Sequence, residues 1–200
     1  GHSVSAFDDY LIVGAPFADP VLVVDGSPTQ YVGAGTAWIF KRRAGTYQLE
    51  ASVSGSEASA QVGFSVSIVS SSLHGVYAAI GAPEVTESGR SNGNVLIYQS
   101  QSLGWALSTT LSSSFVTDQS VQHGFGTNCH LTEDLDLGIF ANDDGESNVS
   151  NAYIYKSSSV INTEVFGADP PMRLSVPGIF NLRSQGLKNP YRTFVGNEKK

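Results

Sequence analysis

Apolar and polar residues alternate weakly over His2 to Phe7 and then give way to a continuous apolar run, Tyr10 to Val13. Alternation marks a half-buried strand, and a short continuous run marks a strand buried on both faces. A Gly-led strand follows, Gly35-Thr36-Ala37-Trp38-Ile39-Phe40, and then a fourth segment, Tyr47 to Val53. The same succession comes back as Gly63-Phe64-Ser65-Val66-Ser67, Val76 to Ile80, Gly93-Asn94-Val95-Leu96-Ile97-Tyr98 and Trp105 to Leu111. A third, more worn pass runs through Gly124-Phe125-Gly126-Thr127-Asn128, Leu135 to Phe140 and Asn151-Ala152-Tyr153-Ile154-Tyr155. Four short strands per unit of about 60 residues predict an all-β chain of about three four-stranded antiparallel sheets, the strand count of propeller blades.

Two motifs fix the period. Gly1-His2-Ser3-Val4-Ser5 returns 62 residues later at Gly63, and again 61 residues after that at Gly124. Val13-Gly14-Ala15-Pro16 returns as Ile80-Gly81-Ala82-Pro83, while the third unit has Phe140-Ala141-Asn142-Asp143 in that place. Small residues at Gly14 and Ala15 suit a strand where neighbours crowd, and Pro16 ends it by removing a ladder donor. The longer phrase Ser59 to Phe64, which returns as Ser120 to Phe125, extends the register. The units therefore fall at about 1–60, 61–121 and 122–159. Asp8-Asp9 and Lys41 to Thr46 read as hairpin turns, and Ser54 to Ala60 as a connector. Val21-Leu22-Val23-Val24, between turn signals at Asp19-Pro20 and Asp25-Gly26, is apolar enough to be expected to pack down or meet a partner. Residues 160–200 lack the pattern: Pro170-Pro171, Pro177-Gly178 and Asn189-Pro190 interrupt them, and Phe166-Gly167 is followed by no Gly-Ala-Pro. They are expected to be a non-repeat tail with short strands such as Arg173 to Val176.

On these motifs residues 1–159 resemble the FG-GAP repeats of integrin alpha-subunit propellers and their bacterial and protist relatives. The match is carried by Gly1, Gly14, Ala15 and Pro16 in the first unit, by Gly63, Phe64, Gly81, Ala82 and Pro83 in the second, and loosely by Gly124 and Phe125 in the third. The resemblance implies a roughly seven-bladed β-propeller, outside the cell or at its surface, working in adhesion or protein–protein interaction. Seven units would need about 430 residues at this period, so the remaining blades are expected from elsewhere in a longer polypeptide or from other chains. The absence of a Met before Gly1 agrees with a processed piece or fragment.

Charge narrows the partners. Residues 1–159 carry five Lys and Arg against fifteen Asp and Glu, and residues 160–200 carry six against three. An acidic body repels nucleic acid and anionic membranes, so neither is expected as a partner. The sequence has no apolar run of membrane-spanning length and no signal peptide. The single Cys129 cannot form an internal disulfide and is expected to be buried.

Candidate chemistry is sparse. Family members bind calcium in an Asp-x-Asp-x-Asp-Gly loop before the Gly-Ala-Pro strand, which supplies converging oxygens and a sharp bend. Here the first unit has only Asp8 and Asp9 and the second has no acid, so Glu133, Asp134 and Asp136 of the third are the remaining calcium candidates. The acidic loop Asn142 to Asn148 lies after the strand and reads as a solvated turn. No Gly-x-Ser-x-Gly elbow, phosphate loop or His-Glu-x-x-His is present. The four His residues, His2, His74, His123 and His130, form no triad pattern with Cys129 or a Ser. Asn148-Val149-Ser150 is a glycosylation sequon. The chain is thus expected to be a non-enzymatic interaction module, with two alternatives: the propeller portion of a larger secreted hydrolase, or a lectin using Trp38 or Trp105, both of which alternation assigns to the core.

Overall fold

The computed structural model describes residues 1–87, 90–112, 124–141, 149–155 and 172–177, and all of their regular structure is β. β1 (Ser3–Phe7) turns through Asp8-Asp9 into β2 (Tyr10–Ala15), with Asp8 at a φ of 50°, a conformation that short acidic side chains tolerate. β3 (Val21–Val24) and β4 (Ser27–Gln30) form an inserted hairpin before β5 (Thr36–Arg43), which returns through Ala44-Gly45 into β6 (Thr46–Ser54). The second unit repeats this order with β7 (Val66–Ser71), β8 (Gly75–Ala82), a short inserted hairpin of β9 (Thr86–Glu87) and β10 (Arg90–Ser91), β11 (Asn94–Gln101) and β12 (Gly104–Ser112). The third contains β13 (Phe125–Leu131), β14 (Leu137–Ala141), β15 (Val149–Tyr155) and β16 (Met172–Pro177). Three four-stranded antiparallel sheets result, ordered β1-β2-β5-β6, β7-β8-β11-β12 and β13-β14-β15-β16. In the first two the register shifts at the same place, between Ile39 and Phe40 and between Ile97 and Tyr98.

Two sequence expectations need correction. β16 pairs along β15 from Ile154↔Met172 to Val149↔Pro177, so the third sheet takes its fourth strand from beyond residue 159 and the boundary at 159/160 cuts it. The fourth strands of the first two units follow two-residue turns, whereas β16 starts at Met172 and β15 ends at Tyr155. The register of the third unit also differs from the motif alignment. Val62 N–H donates to Ala34 O and Phe64 N–H to Gln61 O; Phe125 N–H donates to Asn92 O and Thr127 N–H to Gly124 O. Gly126, at φ 95°, therefore holds the place of Gly63, at φ 86°, and Phe125 holds that of Val62. Phe125 is fully buried and stacks edge-on against Tyr153, 5.3 Å between centroids, whereas Phe64 is half-buried against the His2 ring at 4.7 Å.

Paired residues share a face of a sheet, and this decides how the sheets stack. One face of the first sheet, with Tyr10, Ile12, Ala37, Ile39 and Val53, packs on Val66, Ile68, Ala78 and Ile80 of the second. The second sheet's other face, with Val69, Tyr77, Ala79, Val95 and Ile97, packs on Cys129, Leu131, Leu137, Ile139 and Tyr153 of the third. The stacking is head to tail, and each fully buried Ile, Leu or Val contributes about 1.5–3 kcal/mol.

Candidate functional site

The two seams between sheets share one set of bonds. The Ser3 hydroxyl donates to Gly63 O at 2.9 Å, and 62 residues on the Ser65 hydroxyl donates to Gly126 O at 2.7 Å. Ile68 N–H donates to Ser5 Oγ at 3.1 Å, and Leu131 N–H to Ser67 Oγ at 3.0 Å. Alternate serines on a first strand thus face the next sheet, one hydroxyl giving and one accepting a bond. Beside them, a Cβ added at Gly14 would run into Gly63 O, and one at Gly81 into Gly126 O. Gly14 and Gly81 are glycine because the next unit's main chain passes where a side chain would be.

The seam between the first two sheets is tight along their first two strands and holds a cleft beside the third and fourth. Between the ends of β5–β6 and β11–β12 lies a cleft of about 400 Å³ lined by Tyr10, Lys41, Glu50, Gln101 and Trp105 among others. Trp105 Nε1 donates to Glu50 Oε2 at 3.3 Å, and the Arg43 guanidinium bonds Glu50 Oε1 at 2.6 Å. Burial pushes the Glu50 carboxyl up, but the Arg43 and Trp105 hydrogen bonds and the charges of Lys41 and Arg43 outweigh it and hold the group below its ordinary range. Lys41 Nζ donates to the Tyr10 hydroxyl at 2.7 Å and lies 4.7 Å from the centre of that ring. Of the expected solvated turn around Lys41-Arg42-Arg43, Arg42 and Arg43 are exposed but belong to the end of β5, and Lys41 is drawn into the seam.

The other sequence candidates separate. Glu133 and Asp134 are exposed in a turn closed by Thr132, which accepts from Leu135 N–H and, through its hydroxyl, from Asp136 N–H. Leu135 points into the core at a φ of 61°. Among the described residues no three His, Cys, Asp or Glu gather to hold a metal ion, so Glu133, Asp134 and Asp136 do not form the converging oxygen set that calcium requires. Cys129 is buried, 3.3 Å from the Ser65 hydroxyl, and burial pushes its thiol up to about 11, against the smaller opposite pull of Ser65 and the Gly81 main chain. His130, its neighbour, is exposed. Asn148 lies outside the described residues. Ala15 is half-buried and Pro16, Ala82 and Pro83 are buried at the ends of the second strands, next to the seam glycines. Val21, Val23 and Val24 of the inserted hairpin remain exposed, as do Phe17 and Val32 beside it.

The recurrence of Ser-x-Ser at Ser3/Ser5 and Ser65/Ser67 set the period in the sequence, but it pointed to no role for the hydroxyls, because serine in a strand reads as surface. Trp38 is also displaced from its expected core position: it is half-buried on the face of the first sheet that no other sheet among the described residues covers. Neither a protein-family model nor a curated protein matches this chain.

Proposed function

We propose that this chain supplies blades of an FG-GAP-like β-propeller and acts as a non-enzymatic interaction or adhesion module outside the cell or at its surface. The observation that carries the reading is the identity of the two seams: the same hydroxyl bonds and the same buried glycine relate the first sheet to the second and the second to the third. One operator applied repeatedly generates a ring if it closes and a spiral if it does not. The first two sheets, pressed together along their first strands and parted by a cleft beside β6 and β12, form a wedge-shaped pair, and wedges fan about an axis. That favours a ring built from further units of this kind. Loops and inserted hairpins then gather at the rims, where the exposed Val21, Val23 and Phe17 offer apolar contact to a partner.

Electron microscopy of the polypeptide encoded by the complete gene tests the architecture. A ring of about seven wedges is expected; an open spiral would reject it. Antibody staining of intact, unpermeabilised cells tests the location, with surface signal expected. A second reading, glycan recognition, draws on the seam cleft, where Trp105 offers an aromatic surface beside Glu50 and Lys41. A glycan-binding screen in which binding is present and lost in Trp105→Ala would favour it over protein recognition.

A further inference from the structure

The inserted hairpin of β3 and β4 has two outer edges, and they differ. Tyr31 N–H donates to Pro20 O, so in the register from Val21↔Gln30 to Val24↔Ser27 the main-chain groups of Leu22 and Val24 face β4 while those of Val21 and Val23 point away from it. On β4 the outward residues are Pro28 and Gln30, and Pro28 has no N–H to give. The β4 edge is therefore blunted. The β3 edge keeps both N–H and both C=O groups, and among the described residues none of the four has a hydrogen-bond partner.

The corresponding hairpin of the second unit is closed off. Asn92 N–H donates to Val85 O, which puts Thr86 where Val21 stands, and the outward Thr86 N–H is met by the Glu57 carboxylate at 3.1 Å. Its next pair is charged on both sides, Glu87 opposite Arg90. Val21 and Val23 are instead 60% and 75% exposed, an apolar strand with a bare main-chain edge of the kind that sheets ordinarily cover or charge. What would cover it is constrained by charge. Asp19 and Asp25 stand exposed just beyond the two ends of β3. An antiparallel neighbour centred opposite Leu22 sets the residues three places either side of its own centre beside these two carboxylates. A second copy of β3 in that register would bring Asp19 against Asp25 twice, and like charges directly opposite are destabilising. Lys or Arg at those places complements both ends.

We propose that the outer edge of β3 is a docking site for an extended segment of a partner protein, which adds as an antiparallel strand and carries β-branched apolar residues opposite Val21 and Val23 between two basic residues. The main-chain bonds to Val21 and Val23 hold the strand, and the alternate side chains and flanking charges select it. This names the partner of the interaction module and rests on that reading, but it needs neither ring closure nor location.

Nuclear magnetic resonance of the isotope-labelled chain with the peptide Lys-Thr-Val-Thr-Val-Thr-Lys at millimolar concentration is the test. Binding should move the amide resonances of Val21 and Val23 most and slow their hydrogen exchange by at least about 10-fold. N-methylation of either Val in the peptide should abolish binding, while N-methylation of the central Thr, whose N–H points away from β3, should leave it within about 3-fold. Glu in place of both Lys should weaken it by at least about 10-fold. Val23→Pro removes an outward N–H and no bond of the hairpin, as Pro28 does opposite it, and should abolish binding; Val23→Ile should retain it. Val21 and Val23 amides that stay still in the folded chain overturn the proposal and leave ring and location to the microscopy and staining above. Equal loss from all three N-methylations overturns the added strand, and unchanged binding of the Glu peptide overturns the basic flanks. Dimerisation of the chain alone that Val23→Pro removes overturns the choice of occupant, since a second copy would then hold the edge.

Discussion

Gly81→Ala separates the seam reading from ordinary glycine behaviour by the sign of its effect. Gly81 lies in β8 with an extended backbone that alanine adopts freely, as its φ is not positive. On backbone grounds alone, alanine would narrow the unfolded ensemble and stabilise the fold by about 0.4–1 kcal/mol. The seam predicts the reverse. The added methyl would overlap Gly126 O and the Ser65 hydroxyl and stand 3.0 Å from the Gly126 carbonyl carbon. Relief requires the second and third sheets to part by about an ångström where they are closest, and dispersion contacts fall steeply over such a gap. Overpacking of this kind costs about 1–3 kcal/mol, and the loss of the Ser65–Gly126 hydrogen bond adds about 1 kcal/mol. The net expectation is destabilisation by about 1–3.6 kcal/mol, a fall in Tm of about 2–14 °C for a chain of this size. Urea denaturation followed by far-UV circular dichroism gives the midpoint, and an unchanged m-value assigns the change to stability. Gly138→Ala is the matched control: the nearest atom to its Cβ is His130 O at 4.0 Å, so it should be neutral or slightly stabilising. A Gly81→Ala protein as stable as the parent would refute the close approach.

Three further outcomes follow from the same bonds. Ser67→Ala leaves Leu131 N–H without its acceptor in a buried seam and should cost about 1–3 kcal/mol, read from the urea midpoint. Cys129, with its thiol raised to about 11, should resist Ellman's reagent at pH 8 in the native protein and react at once in denaturant, whereas native labelling at a surface rate would contradict its burial. Glu50 has a folded pKa below its unfolded value, so its contribution is complete above the ordinary carboxyl range and disappears as pH falls through the lowered value. The urea midpoint of Glu50→Gln should therefore drop less between pH 6 and pH 3 than that of the parent, and parallel profiles would contradict the lowered carboxyl.

The repeat was legible because its two strongest marks, the Gly-led first strand and the Gly-Ala-Pro second strand, are imposed by close main-chain approach, which only glycine permits. The four strands of each of the first two large sheets could be read from the same marks, whereas the inserted hairpin of β3 and β4 could not. The third unit was misread where packing overrides motif. Phe125 follows a Gly as Phe64 does, yet it sits two residues out of register and fills the core, and Gly126 takes the strained position instead. The strand expected at Arg173 to Val176 is present as β16, but it was placed in a tail because its residues end in Pro177 and carry no motif; pairing with β15, which is nonlocal, is what brings it into the third sheet. Trp38 looked like core from alternation alone, since the pattern gives the face of a residue but not whether another sheet covers it.

Serine at the seam has a consequence that an apolar residue would not. Hydrophobic contact between two sheets is non-directional, so two faces built only of Val, Ile and Ala could slide by a residue pair at little cost. A hydroxyl aimed at one carbonyl and another receiving one N–H allow a single offset. Each bond contributes only about 0.5–1.5 kcal/mol when made, but a buried N–H left without a partner in a shifted register costs about 1–3 kcal/mol. The penalty for misalignment thus exceeds the gain from alignment, and it recurs at every seam. Apolar burial holds the sheets together, the hydroxyls select their offset, and glycine lets the main chains come close enough for those hydroxyls to reach. Removing any one of the three should loosen the other two at the same seam.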